Sequence, residues 1–439
     1  MASNTPFRLV PVLSNLRQPS YTPAGNHRGF QTLPRDFKKL VTARFLFSFA
    51  VEMQAVIVGW RMYVLTHDPL HLGLLGLAEA VPALGIALYA GYLVDKSRPL
   101  LVYRNVVIGS FLSALVVLVS QTPAFGITFS QQIVALFVSS FLSGAARGFS
   151  QPAIYAAVPR IIRREDLPRA SAWSTTALQI ARISGPGVGG LIFGWLGVCF
   201  AAGCASAFLF LALLAVMSVR TSIPAPLLKT SHKVRTELFS GAAFVFRHPI
   251  LLPALSLDMI SVFFGGVTAL LPIFAADILH VGPKGLGVLR AAAAIGALVT
   301  SLWLTRVSIR SKAGTWLFSS VAGFSLCILV FGLSRNFYLS LLALALSGAF
   351  DSVSMIIRST AVQLASPEAM RGRISAINSI FIGSSNELGE FESGIAAKLM
   401  GTVPAVIFGG VVSLVTVGVL LLVCPALRSL HLGQLTNES

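Results

Sequence analysis

Charge is what this chain has least of. Only 11 % of its 439 residues are Asp, Glu, Lys or Arg, against roughly 25 % in ordinary water-soluble chains, while 55 % are hydrophobic. Acids are scarcer still, with 16 Asp and Glu against 33 Lys and Arg. So few charges cannot clothe a water-facing surface, and an integral membrane protein is expected. Histidine is thin on the ground: His27, His67, His71, His232, His248, His280 and His431 all fall in polar stretches or their margins, none in the middle of an apolar run. The four cysteines, Cys199, Cys204, Cys327 and Cys424, have no metal-ligand or redox spacing and read as small apolar side chains. No metal site, catalytic group or cofactor is therefore expected, and an enzyme gathering nucleophile, acid and base at one depth is the weaker class.

Long apolar runs are abundant. A helix crossing a ~30 Å hydrocarbon core needs about 20 such residues. Runs of that kind lie near 41–65, 72–94, 101–120, 131–155, 171–197, 198–219, 250–275, 285–305, 314–333, 338–361, 373–399 and 402–424. That predicts an all-α membrane protein of twelve transmembrane helices, with a very short connector at Gly197.

The net charge of +17 invites a nucleic-acid reading until the basic residues are placed. Seventeen Lys and Arg, among them Lys96, Arg98, Arg104, Arg163, Arg169, Arg247, Arg306 and Arg371, sit in connectors after even-numbered spans, and only Lys284, Arg335 and Lys398 in those after odd-numbered spans. The positive-inside rule then puts the even connectors and both termini in the cytoplasm. Anionic lipid accounts for the charge, and nucleic acid is unnecessary. Residues 1–40 lack a continuous apolar core, which excludes a secretory signal peptide, and read as a disordered cytoplasmic tail, with an Arg-rich, acid-poor organelle-targeting peptide as the alternative.

An internal repeat divides the chain. Leu142-Ser-Gly-Ala145 recurs as Leu346-Ser-Gly-Ala349 at an offset of 204, which also brings Arg169 onto Arg373, Gly185 onto Gly389 and Gly190 onto Gly394. Earlier in each half, Gly73 and Gly287 align at an offset of 214. The implied organisation is an N-terminal six-helix bundle at 41–219, a basic cytoplasmic linker at 220–249, a C-terminal six-helix bundle at 250–425 and a tail at 426–439. Two parallel six-helix pseudo-repeats favour alternating access around a midplane site over a channel.

Two motifs sharpen this reading. Gly91-Tyr-Leu-Val-Asp95-Lys96-Ser-Arg98 closes the second span, where an acid between bases can pair with a neighbouring helix end and form a cytoplasmic gate. Ala181-Arg-Ile-Ser-Gly185-Pro186-Gly187-Val-Gly189-Gly190 places small residues at i, i+4 for close helix approach, with Pro186 permitting a kink. The first stretch resembles the signature of the major facilitator superfamily, although the glycine after the basic residue is missing. The second resembles the antiporter signature of its exporters, with Ala181 in place of a glycine. Together with Gly59-Trp-Arg61-Met-Tyr63, Gln151-Pro-Ala153 and Asn386 to Gly394, the chain from about 40 to 425 resembles the branch holding the enterobactin exporter and macrolide efflux proteins. The resemblance implies the major facilitator fold and proton-driven export of a small molecule from the cytoplasm.

Ions inside spans are costly, so each is a functional candidate. The acids are Glu52, Glu79, Asp258, Asp351, Glu387 and Glu390, and the bases Arg44, Arg61, Arg147, Arg182, Arg290 and Arg358. Glu387 and Glu390 share a helix face, and two carboxylates on one desolvated face do not readily both ionise, so these, with Glu52 and Asp258, are the proton-coupling candidates. Arg61, Arg147, Arg182 and Arg290, with Glu79 and Asp351, are the substrate-binding candidates. The arginines suit an anionic or catecholate cargo, and the acids equally suit a lipophilic cation. Arg147 and Asp351 occupy equivalent repeat positions, which suggests a pair across the halves. The expected partners are a small-molecule substrate, protons and membrane lipid, with the chain a monomer in the cytoplasmic membrane. Proton-coupled uptake remains the open alternative.

Overall fold

The computed structural model describes residues 33–220, 243–306, 312–367 and 370–431, with side chains described throughout these except at 87–89, 91, 92, 95, 164, 371–373, 375, 376, 379 and 380. The described residues hold helices and no strand. In chain order these are α1 (Arg35–Thr66), α2 (Pro69–Lys96), α3 (Pro99–Gln121) and α4 (Phe129–Ile161). Leu167–Met217 follows as one continuous stretch bent at Gly197, which separates α5 (167–196) from α6 (198–217). The second half comprises α7 (Leu251–Ile278), α8 (Gly282–Leu304), α9 (Ala313–Leu333), α10 (Phe337–Ala365), α11 (Arg371–Met400) and α12 (Thr402–Val423).

Ten of the continuous described helices are long and apolar enough to cross a membrane. The expected count of twelve exceeds this for two physical reasons. The bend at Gly197 joins two rods into one 51-residue stretch, and α11 carries Glu387, Glu390 and Glu392 within its length.

Local sequence explains where the rods begin and turn. Pro69 and Pro99 occupy first-turn positions, where the missing N–H costs nothing. Asp68 caps α2 by accepting from the Leu70 N–H at 3.0 Å, Asn336 caps α10 by accepting from Tyr338 and Leu339, and Thr128 with Gln131 forms a capping box on α4. Gly197 and Gly401 stand at positive φ, 83° and 91°, where a side chain would be strained. They are 204 residues apart, so the tight turn between the fifth and sixth rods is made by the same residue in both halves.

The repeat extends to packing. On α5, a Cβ at Gly185 would meet the Phe49 carbonyl of α1 at 2.8 Å, and one at Gly190 would meet Gly287 Cα of α8 at 2.8 Å. On α11, a Cβ at Gly389 would meet the Phe263 carbonyl of α7 at 2.7 Å, and one at Gly394 would meet Gly73 Cα of α2 at 2.5 Å. Each pair of contacts is the repeat image of the other. In each half one small-residue stripe lets the fifth rod lie on the first rod of its own half, and the other lets it lie on the second rod of the opposite half. Gly144 packs on the backbone of Glu79, and its image Gly348 on that of Ala293.

The lipid-facing surface is apolar, with Val134, Trp195, Val299 and Leu422 among the large exposed side chains, as a chain with no water to face requires. Two expectations change, and one falls outside the described residues. The first helix begins at Arg35 rather than 41, so Asp36, Lys38 and Lys39 belong to it, and Lys39 donates to the Ser218 carbonyl at 2.7 Å. Residues 1–32 of the expected tail at 1–40, most of the linker (221–242) and the end of the chain (432–439) lie outside the described residues. Of the cysteines only Cys327 is buried; Cys199, Cys204 and Cys424 are half-exposed, and Cys199 donates to the Gln121 carbonyl at 2.9 Å. A feature not expected from periodicity is the broken course of α7. Its regular helix ends at Gly265, a tight turn follows at Thr268–Leu270, and a wide-turn segment runs over Phe274–Ile278.

Candidate functional site

The break in α7 opens onto a cavity of about 80 Å³ between the two halves, room for a handful of waters. α1 contributes Gln54 and Gly59, α2 Gly76 and Glu79, and α4 Ser139, Ser140 and Ser143. From the other half come Thr268 and Pro272 on α7, Arg290 on α8 and Glu390 on α11. Gln54 is held by its amide, which donates to Ser113 and Ser139 at 2.8 and 2.9 Å. Glu390 lies across Gly76, where a Cβ would meet its Oε2 at 2.9 Å. Gly76 is therefore the residue that lets this carboxylate reach the cavity.

Beside the cavity the charges knit the halves together. Arg147 on α4 pairs with Glu79 on α2 at 3.0 Å and with Glu387 on α11. Arg182 on α5 stands 4.0 Å from Glu52 on α1. Glu390 feels Arg290, Glu79, Arg147 and Glu52. Four carboxylates thus face three guanidiniums.

At the end of the bundle where α1 joins α2 and α11 joins α12, the halves meet directly. Lys398 donates to Asp68 at 2.8 Å, Tyr63 donates to Asp277, and Lys284 lies over the Trp195 ring at 5.1 Å. Burial alone would raise the Asp68 carboxyl, but the hydrogen bonds from Lys398 and the Leu70 N–H outweigh it and hold it below the usual carboxylate value. The two Gly–Gly crossings lie towards this end, so this face of the molecule is shut.

The candidates named from sequence separate into groups. Glu79, Arg290 and Glu390 line the cavity, and Arg147, Glu387, Glu52 and Arg182 surround it. Arg61 is elsewhere: it donates to Gln121 at 2.5 Å and Gln132 at 3.0 Å, inside its own half. Asp258 and Asp351 lie in a separate gap between α7, α9 and α10. The anticipated Arg147–Asp351 pair is not formed, because Arg147 is taken by Glu79 and Glu387 while Asp351 turns into its own bundle beside Asp258. Glu387 and Glu390 do not share one site either, since one is spent on Arg147 and the other reaches into the cavity. Gly185 and Gly189 seat α5 on α1, while Gly190 and the Pro186 carbonyl meet α8 at Gly287. Gly91 and Asp95 lie near the end of α2, Lys96 ends it and Arg98 precedes α3; the Asp95 side chain is outside the described residues. Sequence reading missed Gln54, the three serines, Tyr63, Asp68, Asp277 and Lys284 as site residues. Only the Gly265-Gly266 pair and Pro272 signalled the broken helix.

Residues 32–435 match a family model described as transmembrane secretion effector. Curated relatives named Enterobactin exporter EntS, from Shigella boydii serotype 18 and Escherichia coli O81, are 25 % identical over 394 residues, covering 88 % of this chain and 91 % of theirs. Among solved structures, a POT family transporter in complex with 5-aminolevulinic acid superimposes with a TM-score of 0.71 at 14 % identity, covering 91 % of this chain and 98 % of that one. A bacterial homologue of the iron transporter ferroportin, in an inward-facing state, gives 0.68 at 16 %, covering 91 % and 100 %. The fold is that of the major facilitators.

Proposed function

The chain belongs to the transmembrane secretion effector family, and on that premise we propose that it exports a siderophore-like or lipophilic small molecule across the cytoplasmic membrane by proton-coupled alternating access, with both termini in the cytoplasm. The closed face is then the outer one. The observation that carries this reading is the cavity between the halves, with charged groups from both and, among the described residues, direct contacts closing one end. At about 80 Å³ it is too small for a cyclic multi-ring cargo, so loading requires the halves to part.

The lining supports a cargo rich in hydroxyl groups. Glu79 and Glu390 accept from phenolic O–H groups, the serines and Gln54 exchange hydrogen bonds, and Arg290 stacks on or donates to a catechol ring. The surplus carboxylate of the surrounding network gives proton exchange a place: a proton on Glu390 balances the charge, and its loss favours a different pairing of the halves. Gly91, Asp95, Lys96 and Arg98 form the cytoplasmic gate that closes when the outer contacts open.

The test is transport in everted membrane vesicles with an imposed pH gradient, comparing a catecholate siderophore with a lipophilic cationic dye. Gradient-driven accumulation of the catecholate is expected, and its loss in Glu390→Gln. Accumulation in right-side-out vesicles instead would establish uptake, and transport indifferent to the gradient would remove proton coupling.

A further inference from the structure

The gap enclosed by α7, α9 and α10 holds charges that the cargo cavity does not use. It is about 10 Å³, the space of a single water. Asp258 on α7 accepts from Arg358 on α10 at 2.7 Å and from Ser354 at 3.4 Å. Asp351, two helical turns from Arg358, lines the same gap and makes no hydrogen bond or ion pair of its own among the described residues. Two further polar groups are left over: the Ser261 hydroxyl and Arg358 Nε are both buried without a partner, on residues 1 % and 4 % exposed. Ser261 lines the gap.

No other charge offsets the second carboxylate. α9 brings Ser320, Val321 and Phe324, with no ionisable group. α12 has no Asp, Glu, Lys, Arg or His, and none of Lys284 and Arg290 on α8 or Glu387, Glu390, Glu392 and Lys398 on α11 lines the gap. Two carboxylates and one guanidinium leave a net charge of −1 in a space walled by Phe324 and Phe350. Isolated buried charge of that kind is expensive and is relieved by neutralisation.

The repeat shows that the scaffold does not need this cluster. By the offsets of 214 and 204, the images of Asp258, Asp351 and Arg358 are Arg44, Arg147 and Ile154. Arg44 is buried on neutral partners, donating to Ser174 and to Gln151 at 3.1 Å. None of the three equivalent positions of the other half thus carries a carboxylate.

We propose that the Asp258–Asp351–Arg358 cluster of the C-terminal half is a proton-binding site separate from the cargo cavity. One proton from bulk solvent, relayed by a water that the gap has room to hold, joins the Asp351 carboxylate, taking the cluster from −1 to neutral, and leaves by the same route. The unpartnered Ser261 hydroxyl, which lines the gap, can both donate to and accept from a water held there. The existence of the site is independent of the proposed export; only its use as a second coupled proton rests on that reading.

Infrared difference spectra of the full chain in a lipid bilayer, between acidic and alkaline buffer, test it. A protonated-carboxyl C=O band is expected that vanishes in Asp351→Asn, shifts in frequency in Asp351→Glu and persists in Glu390→Gln. The Asp351→Glu variant decides alone if the Asn variant does not reach the membrane. A band unaltered in every Asp351 variant overturns the proposal, as does its displacement when sodium replaces choline, which would make this a sodium site. A band assigned to Asp351 in a protein whose transport ignores the pH gradient would leave the site standing and sink proton-coupled export. Gradient-driven transport with no such band would do the reverse.

Discussion

Gly73→Val and Gly287→Val are expected to open the sealed face. A Cβ at Gly287 would stand 2.5 Å from the Pro186 carbonyl and 3.0 Å from Gly190 Cα; one at Gly73 would stand 2.9 Å from Gly394 Cα and 3.0 Å from the Phe391 carbonyl. These obstacles are backbone atoms that cannot swing aside, so the sealed arrangement is overpacked by about 1–3 kcal/mol. An arrangement with the halves parted carries no such strain. Each substitution then shifts the sealed-to-open ratio by about 5- to 150-fold. Because the two crossings lie at different helix pairs parted by one motion, the double variant should shift it by roughly the product of the two. Spin labels at Phe125→Cys in the α3–α4 connector and Tyr338→Cys in the first turn of α10, exposed positions in opposite halves, in a chain freed of its four cysteines, report the separation by pulsed dipolar spectroscopy. A longer distance is expected in both variants. Unchanged distances in well-folded Gly73→Val and Gly287→Val protein would refute the assignment of these crossings as the seal.

The remaining expectations concern single charges. Asp68→Asn keeps the cap on α2 but loses the ion pair to Lys398; with the lysine half-exposed the loss is about 1 kcal/mol of the sealed state, read by the same label pair. Because the Asp68 carboxyl is held below its usual value, its contribution is present above the ordinary Asp pKa of about 3.9 and is lost as pH falls through the depressed value. Label distances should therefore not change through this pair between neutral and mildly acidic pH. Arg358→Met strands the buried Asp258 carboxylate and should cost about 3–5 kcal/mol of stability, seen as a lower Tm, with Asp258→Asn in the same chain restoring part of it. Tyr63→Phe removes the donor to Asp277 and should weaken the sealed state by about 1–3 kcal/mol without altering expression.

Scarcity of charge, the spacing of apolar runs and the offsets of 204 and 214 were enough to read an all-α membrane protein in two related halves, because lipid demands long uncharged helices and duplication leaves its period in the glycines. Gly185, Gly190, Gly389 and Gly394 could likewise be read as close-approach residues, since nothing but a hydrogen fits between two backbones. Which helix each one touches was decided only in three dimensions: neighbours along the chain do not reveal that Gly190 meets Gly287 or Gly394 meets Gly73. The same holds for charge. Composition marked Glu79, Arg147, Glu387 and Glu390 as costly, but a helix face has a direction in space that a sequence does not carry. Tertiary packing alone sent Glu387 to Arg147, Glu390 across Gly76 into the cavity, and Asp351 into the gap beside Asp258.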